Sequence, residues 1–472
     1  MKRFFTTLSS VLLLAACSME PVMEKHETVT PDAFKEAGDW VKASPAVDQL
    51  GGTWWTIFDS PELNDLEGRV TTGNQTLKQA LAKLDEARGV VETDKAGLLP
   101  QVSLSANPVR SSASTTLANN KLADTYNDYL TGATVTYETD LWGRVRSQVK
   151  ADTRFAEASE TDVATAELSI RAELARQYFM LRGYDEMQDL LDKTVVSYQK
   201  ALDLTSNRHA GGIAMESDVT QAEAQLEDAK TKAADTHMKR AQAEHAIAVL
   251  LGVMPSSFNL APAKVDITFP QVNPGLPASL LQRRPDVASA ELQMEAANAE
   301  IGVARAAWFP DLVLTGGAGF ESDAVKTLFN APSLLWSFGA SVTMPLFDGG
   351  RIDGLTHQAR ARYDESVAGY RQTVLTAFQE VEDNLVGLHQ LDSEFKTQSA
   401  ATDADEKTLQ HFKARYEGGI TNYLDVVVAQ NAALDAEIQL INIKISREAS
   451  AVGLIKSLGG GWTNAAQDKP KP

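Results

Sequence analysis

The chain has 472 residues, with 63 acidic against 44 basic side chains, a formal charge of −19 and a single cysteine, Cys17. The acidic balance disfavours nucleic acid and anionic lipid as partners. One cysteine excludes an internal disulfide, a CxxC pair or a zinc finger, so burial and contacts between copies must hold the fold.

The chain opens with Lys2 and Arg3, an apolar stretch from Val11 to Leu14, and Ala15-Ala16 ahead of Cys17. This reads as a secretory signal over residues 1–16, since the apolar run is far short of the ~20 residues a spanning helix needs. Leu14-Ala15-Ala16-Cys17 has the form of a bacterial lipobox, which makes Cys17 the expected lipid anchor. Cleavage there removes Lys2 and Arg3 and takes the charge from −19 to −21. Ser18 is compatible with sorting to an outer membrane. No later segment is apolar for long enough to span a bilayer as a helix, so a crossing would need strands closed into a barrel.

Beyond the anchor, a helix is predicted over about 67–98, strands around Val102-Leu104-Ala106 and Tyr129–Tyr137, and a very long helix from Gly143 to about Arg208. A Gly-Gly turn and a helix over 215–252 follow. The order then repeats. Gly143, Arg208, Gly211-Gly212-Ile213, Asp218-Val219 and Leu251-Gly252 recur 207 residues on as Gly350, Arg415, Gly418-Gly419-Ile420, Asp425-Val426 and Leu458-Gly459. Upstream the offset is 210, pairing Ala80, Ala87, Ala96 and Pro100 with Ala290, Ala297, Ala306 and Pro310. Such a constant offset marks an internal duplication.

The second copy predicts helices over 285–308, 352–415 and 422–458. Its long helix carries Val374, Phe378, Val381, Leu385, Leu388 and Phe395 at steps of three and four, with Asp392 in the vacant slot. The first copy has Leu174, Tyr178, Leu181 and Asp185 at the matching places. This is a seam for packing against other long helices. The shorter helices supply the partners, two together approaching the length of one long helix. Gly211, Gly212, Gly418 and Gly419 mark the tips of two helical hairpins, with Ser217 and Thr421 as candidate caps.

Strand alternation is clearest ahead of each long helix. Tyr129, Ala133, Val135 and Tyr137 oppose Gly132, Thr134 and Thr136, while Trp336, Phe338, Ala340, Val342 and Met344 oppose Ser337, Gly339, Ser341 and Thr343. Leu312 and Leu314 repeat the earlier strand. A half-buried strand of a soluble sheet gives the same pattern, but export and the lack of another span favour a membrane barrel with a wet interior. Four strands are too few to close one. Three copies give twelve, whereas two give eight and a filled interior. The expected fold is therefore mainly α with a membrane β-barrel, four strands and long coiled-coil helices per protomer. The expected segments are 17–66 for a lipidated arm, 67–255 and 285–460 for the repeats, 256–284 for an equatorial link, and 461–472 for a tail.

The residues Trp54-Trp55-Thr56-Ile57-Phe58 with Pro61-Glu62-Leu63, Leu281–Val287 around Arg283-Arg284-Pro285-Asp286, Ile301-Gly302-Val303-Ala304 leading to Phe309-Pro310, Pro345–Arg351 and Tyr416–Gly419 occur in this order. Together they resemble the TolC and OprM type of outer-membrane efflux protein, and its NodT lipoprotein branch in particular. The resemblance implies a homotrimer whose barrel continues into a periplasmic tube of helices, girdled by chain ends and the central link. It implies as partners a periplasmic adaptor at the hairpin tips and an inner-membrane pump of the resistance-nodulation-division class. Small solutes would pass without chemistry. It also implies an aperture ringed by aspartates, placing Asp425 there with Tyr423 beside it. The family's second acidic position is Val428 here.

Read without function, Pro285 and Asp286 open a helix, and Asp425 is a first-turn acid like Asp218. The sequence holds no HExxH pair, phosphate loop, GxSxG elbow or dinucleotide fingerprint, and His237 and His245 are expected to be packed or solvated. No enzyme, metal or cofactor is expected. Two alternatives stay open: an outer-membrane component of a type I protein or peptide secretion system, and a lipid-anchored periplasmic coiled-coil scaffold.

Overall fold

The computed structural model describes residues 19–23, 31, 33–36, 51–112, 114, 125–264 and 283–463. Cys17, Ser18, most of the 256–284 link and the end of the tail lie outside these. After a 3₁₀ segment, Gly51–Phe58, the elements run α1 (Pro61–Gly73), α2 (Gln75–Ala96), β1 (Gln101–Ser112), β2 (Thr125–Glu138), α3 (Arg144–Ala210) and α4 (Glu216–Leu250). The second half continues with α5 (Pro285–Ala306), β3 (Asp311–Ser322), β4 (Leu334–Thr343), α6 (Arg351–Glu417) and α7 (Tyr423–Ser457). The duplication is kept to the residue: α2 and α5 have 22 residues, α3 and α6 have 67, and α4 and α7 have 35.

Both long helices are proline-free and run ~100 Å at 1.5 Å per residue. Each starts on an aspartate. The Asp140 carboxylate accepts the amides of Val145 and Arg146 at 2.8 and 3.0 Å, and Asp348 accepts those of Gly350 and Ile352 at 3.0 and 2.9 Å. These contacts satisfy amides that have no partner within the helix.

The helix expected over 67–98 is instead two helices, and the break has a steric cause. α1 starts earlier, with Ser60 as N-cap and Pro61 in the first turn, and ends at Gly73. A Cβ on Gly73 would lie 1.9 Å from the Leu251 carbonyl oxygen, and one on Gly252 would lie 2.0 Å from the Gly73 carbonyl oxygen. The end of α4 thus butts against the start of α2, and only glycine fits. Asn74 closes the joint, accepting the Leu77 amide at 2.9 Å and donating its side-chain N–H to the Leu250 carbonyl at 2.7 Å. The second half repeats the joint. A Cβ on Gly459 would meet the Arg283 carbonyl oxygen at 1.9 Å, and Arg284 donates to the Ser457 carbonyl at 3.1 Å. The paired short helices are therefore spliced end to end.

Contacts divide the chain into two compact units. One draws on Met1–Glu27, Ala82–Glu160 and Ser289–Arg371, the other on Thr28–Leu81, Thr161–Ala288 and Gln372–Pro472. Neither unit is a repeat, because each takes parts from both halves.

The first unit holds an antiparallel sheet in the order β1-β2-β3-β4. Gln101 opposes Thr136, and Asp311 opposes Thr343. These pairs are related by the offsets of 210 and 207 read from the sequence. Between the repeats, Tyr137 opposes Leu314 and Val135 opposes Gly316. Below the strands, Trp142 stacks on Phe309 at 4.6 Å and donates its indole N–H to the Pro310 carbonyl at 2.9 Å. The second unit packs α3, α4, α6 and α7, with Met187, Leu191, Leu434 and Ile441 forming one buried cluster and Tyr198, Leu226 and Ala229 another.

Candidate functional site

The strand registers place Val102, Leu104, Val135, Tyr137, Leu312, Leu314, Phe338 and Val342 on one face of the sheet. That face is open in the single chain: Leu104 is 83 % exposed and Phe338 77 %. The other face carries Ser103, Ser105, Thr134, Thr136, Gly317, Ser337 and Ser341. All four strands thus present their apolar positions to the same side, as the alternation predicts. β1 and β4 are the outer strands of the described sheet.

At the hairpin tips the glycines stand where the left-handed conformation is needed. Gly212 and Gly419 have φ of 74° and 70°. The Ile213 amide donates to the Arg208 carbonyl and the Ile420 amide to the Arg415 carbonyl, each at 2.8 Å. With Gly211 and Gly418 closing the last turn ahead of them, this is the Schellman arrangement that ends a helix. The caps are not the predicted Ser217 and Thr421. The N-cap of α4 is Met215, whose amide donates to Asp218 at 3.2 Å. The N-cap of α7 is Asn422, whose side chain accepts the Asp425 amide at 3.0 Å. Thr421 instead donates its hydroxyl to the Asp425 carboxylate.

Asp425 is half-buried in this turn, whereas Tyr423 is 3 % exposed and packs with Ala222, Val426 and Val427. Burial, with Tyr416 and Asp218 nearby, pushes the Tyr423 phenol up to about 12. The two tips meet through Arg208, which lies 4.6 Å over the Tyr416 ring and donates to its carbonyl at 3.3 Å. Gln225 donates to Asn431 at 3.1 Å, and Lys232 pairs with Asp435 at 3.2 Å. Ile213 and Ile420 remain 76 % and 70 % exposed.

The vacant seam slots Asp185 and Asp392 prove to be ion-pair positions, which the apolar periodicity does not reveal. Arg240 donates to Asp185 at 2.6 Å, and Arg447 donates to Asp392 at 2.8 Å. Both members of the pair recur at offset 207, and that recurrence is the signal that would have found them. Around Asp185 the network widens to Arg182, Glu62 and Tyr178. Arg182 and Arg240 donate to the carbonyls of Ala261 and Leu260 at 2.8 and 2.6 Å, and Asp185 accepts the Ala263 amide at 3.2 Å. The start of the central link is thereby fastened to the helices. Asp392 lies in a more open setting, where Lys396, ahead of Arg447, holds its carboxyl below the usual range.

Among the described residues no group of three or more His, Cys, Asp or Glu could hold a metal ion, and no helix is long and apolar enough to cross a membrane.

Comparison with known proteins follows the same duplication. The profile of the family described as Outer membrane efflux protein matches twice, over residues 68–253 and 276–460. The chain is 32 % identical to outer membrane protein OprJ of Pseudomonas aeruginosa, over 97 % of this chain and 95 % of that one. It is 29 % identical to the toluene efflux pump outer membrane protein TtgF of Pseudomonas putida, over 98 % of each. Among solved structures it resembles the CmeC outer membrane channel of Campylobacter jejuni with a TM-score of 0.90 at 27 % identity, covering 95 % of this chain and 96 % of CmeC.

Proposed function

Because the chain belongs to the outer membrane efflux protein family, and is the outer-membrane channel of an efflux pump rather than an enzyme, we propose that three copies form a passive duct for small solutes. The observation that carries this reading is the four-stranded sheet with one exposed apolar face and two open edges. Such a sheet cannot rest in a membrane alone, since every backbone group there needs a partner. Three copies supply twelve strands, enough for a barrel with a wet interior. Cys17 anchors the chain in the outer membrane, and the helices extend into the periplasm. A toluene efflux pump protein among the relatives agrees with small cargo.

In this reading the tips carrying Gly211, Gly212, Gly418 and Gly419 meet a periplasmic adaptor coupled to an inner-membrane pump of the resistance-nodulation-division class. Three copies of Asp425 form the aperture. Tyr423, buried at its foot, holds the start of α7 in place. Single-channel recording of the purified mature protein tests the assignment, with its mass in detergent measured alongside. A trimer with cation-preferring openings is expected, and Asp425→Ala should lose most of that preference. Unchanged conductance and selectivity in Asp425→Ala would return the residue to a first-turn acid favoured by the helix dipole. A monomer that does not conduct would remove the duct itself.

A further inference from the structure

The duplication is broken at one seam between helices of the first unit. There α3 of the first repeat lies beside α5 of the second, and the amino-terminal arm is laid between them. Lys150 on α3 donates to both Glu20 carboxylate oxygens at 2.7 and 2.9 Å. From α5 the Asn298 side chain donates to Glu20 at 3.1 Å and to the Pro21 carbonyl at 3.0 Å. Gly302 makes room for this contact. A Cβ there would lie 3.1 and 3.2 Å from the Cα and Cβ of Glu20, and 2.9 Å from the Ser147 hydroxyl. Glu20 therefore fills the space into which a side chain on residue 302 would point. One turn further on, Arg154 of α3 pairs with Glu295 of α5 at 2.8 Å.

By the offset of 207, Ser147, Lys150 and Arg154 correspond to Gly354, His357 and Ala361 on α6. By the offset of 210, Glu295, Asn298 and Gly302 correspond to Asp85, Arg88 and Glu92 on α2. Each of these pairs differs in residue type, and in a ring of repeats the second set meets where α6 of one copy lies beside α2 of the next. We propose that His357 of one copy pairs with Glu92 of the next, in the place that Lys150 and Glu20 fill within the chain. This rests on the trimeric reading above and adds a site that only two copies complete. The differences compensate one another. Glu92 supplies from α2 the carboxylate that Gly302 leaves to the arm, Gly354 lacks the side chain that a Cβ on residue 302 would strike, and His357 keeps a group able to carry positive charge. Glu92, Gly354 and His357 are all exposed in the single chain, and a Cβ on Gly354 would meet nothing within 4 Å. The other charges around His357 are Asp353 and Arg360 on α6, with Glu300 of α5 held 3.7 Å from Arg362. On the facing α2 they are Asp85 and Arg88, and Arg88 is turned to Asp85 and Glu160 of its own chain at 4.0 and 3.7 Å. Histidine loses its charge between ~pH 5 and 8, whereas lysine keeps it. The seam between copies should therefore loosen as pH rises, and the seam within the chain should not.

The rate at which the full-length trimer dissociates in dodecyl sulfate, followed by electrophoresis at several pH values, tests the pair. Wild type should dissociate at least ~threefold more slowly at pH ~5 than at pH ~8. Glu92→Gln and His357→Gln should each show the faster rate at both pH values, and the double variant should be no faster than either. His357→Lys should restore slow dissociation and remove its pH dependence, copying the seam within the chain. Losses that add in the double variant, or a pH profile unchanged in Glu92→Gln, overturn the pair. Cysteines separate that failure from failure of the trimer. Glu92→Cys with Gly354→Cys in one chain, oxidised with copper phenanthroline and run denatured without reductant, should link neighbouring copies into a ladder, with single-cysteine variants accounting for Cys17. A ladder accompanied by additive losses removes the pair and leaves the seam. No ladder from a protein of trimeric mass in detergent overturns the seam and the pair together and spares the duct, and a monomeric mass removes the trimeric reading itself.

Discussion

A carboxyl group enclosed by protein loses hydration that one nearby cation only partly restores. Glu67 on α1 is such a group: it is fully buried, with Arg171 3.5 Å away and itself stacked on Trp55. Burial pushes it up from 4.5 to about 8 against the opposing pull of Arg171. The folded chain then keeps a proton across this window that the unfolded chain releases. The stability Glu67 contributes is complete below about 4.5 and is lost as pH rises through about 8. Glu67→Gln should flatten part of this slope and leave the variant ~1 to 3 kcal/mol more stable than wild type at alkaline pH, with little difference near pH 5. Melting of the detergent-solubilised protein at several pH values measures it, and a pH-independent gap would mean Arg171 holds Glu67 ionised. At this scale the sequence was only partly legible. Asp425 stands out through the family resemblance, its twin Asp218 pointing only to a first-turn acid, and nothing in the pattern distinguishes Thr421 from Asn422 as the cap. Glu67 reads as an ordinary helix-surface acid until the neighbouring helices are in place.

The joints between spliced helices are the least legible elements, because a break at Asn74 depends on a backbone arriving from 176 residues away. The long helices were legible from composition and their glycine ends, since length and termination are local properties. The two joints do the same work with different chemistry. Asn74 uses a neutral amide, whereas Arg284, 7 % exposed, adds ion pairs of 2.6 Å to both Asp286 and Glu380 while reaching the Ser457 carbonyl. The Arg283-Arg284-Pro285-Asp286 segment of the sequence thus acts as the lock of the second joint. Arg284→Ala leaves two carboxylates and a carbonyl without their cation and should cost ~2 to 4 kcal/mol. Asn74→Ala loses a cap and one hydrogen bond, for ~1 to 2 kcal/mol. Equal losses in thermal unfolding would show that the charges add nothing at the second joint.

For the whole molecule, the offset of 207 gave the architecture in advance, and the registers of β1–β2 and β3–β4 repeat it. Membrane residence is harder to read, because a strand that alternates between lipid and water has no apolar run. Reversing that alternation at one position makes a direct test. Phe338→Arg puts a charge on the apolar face and should cost ~2 to 4 kcal/mol if it lies near the bilayer midplane, lowering the yield of inserted trimer. Ser337→Arg, on the opposite face, should leave insertion unchanged. Equal yields in membrane fractions would mean that the apolar face does not meet lipid. The pairing of Tyr137 with Leu314 also bears on how the chain reaches its native state. Each hairpin is local and nucleates alone, but β2 can meet β3 only after a long stretch of intervening chain has been gathered in, at a cost in loop entropy and time. During that interval the two hairpins are separate pieces with sticky edges, so crowded newly exported chains are exposed to swapped partners before each has found its own second half.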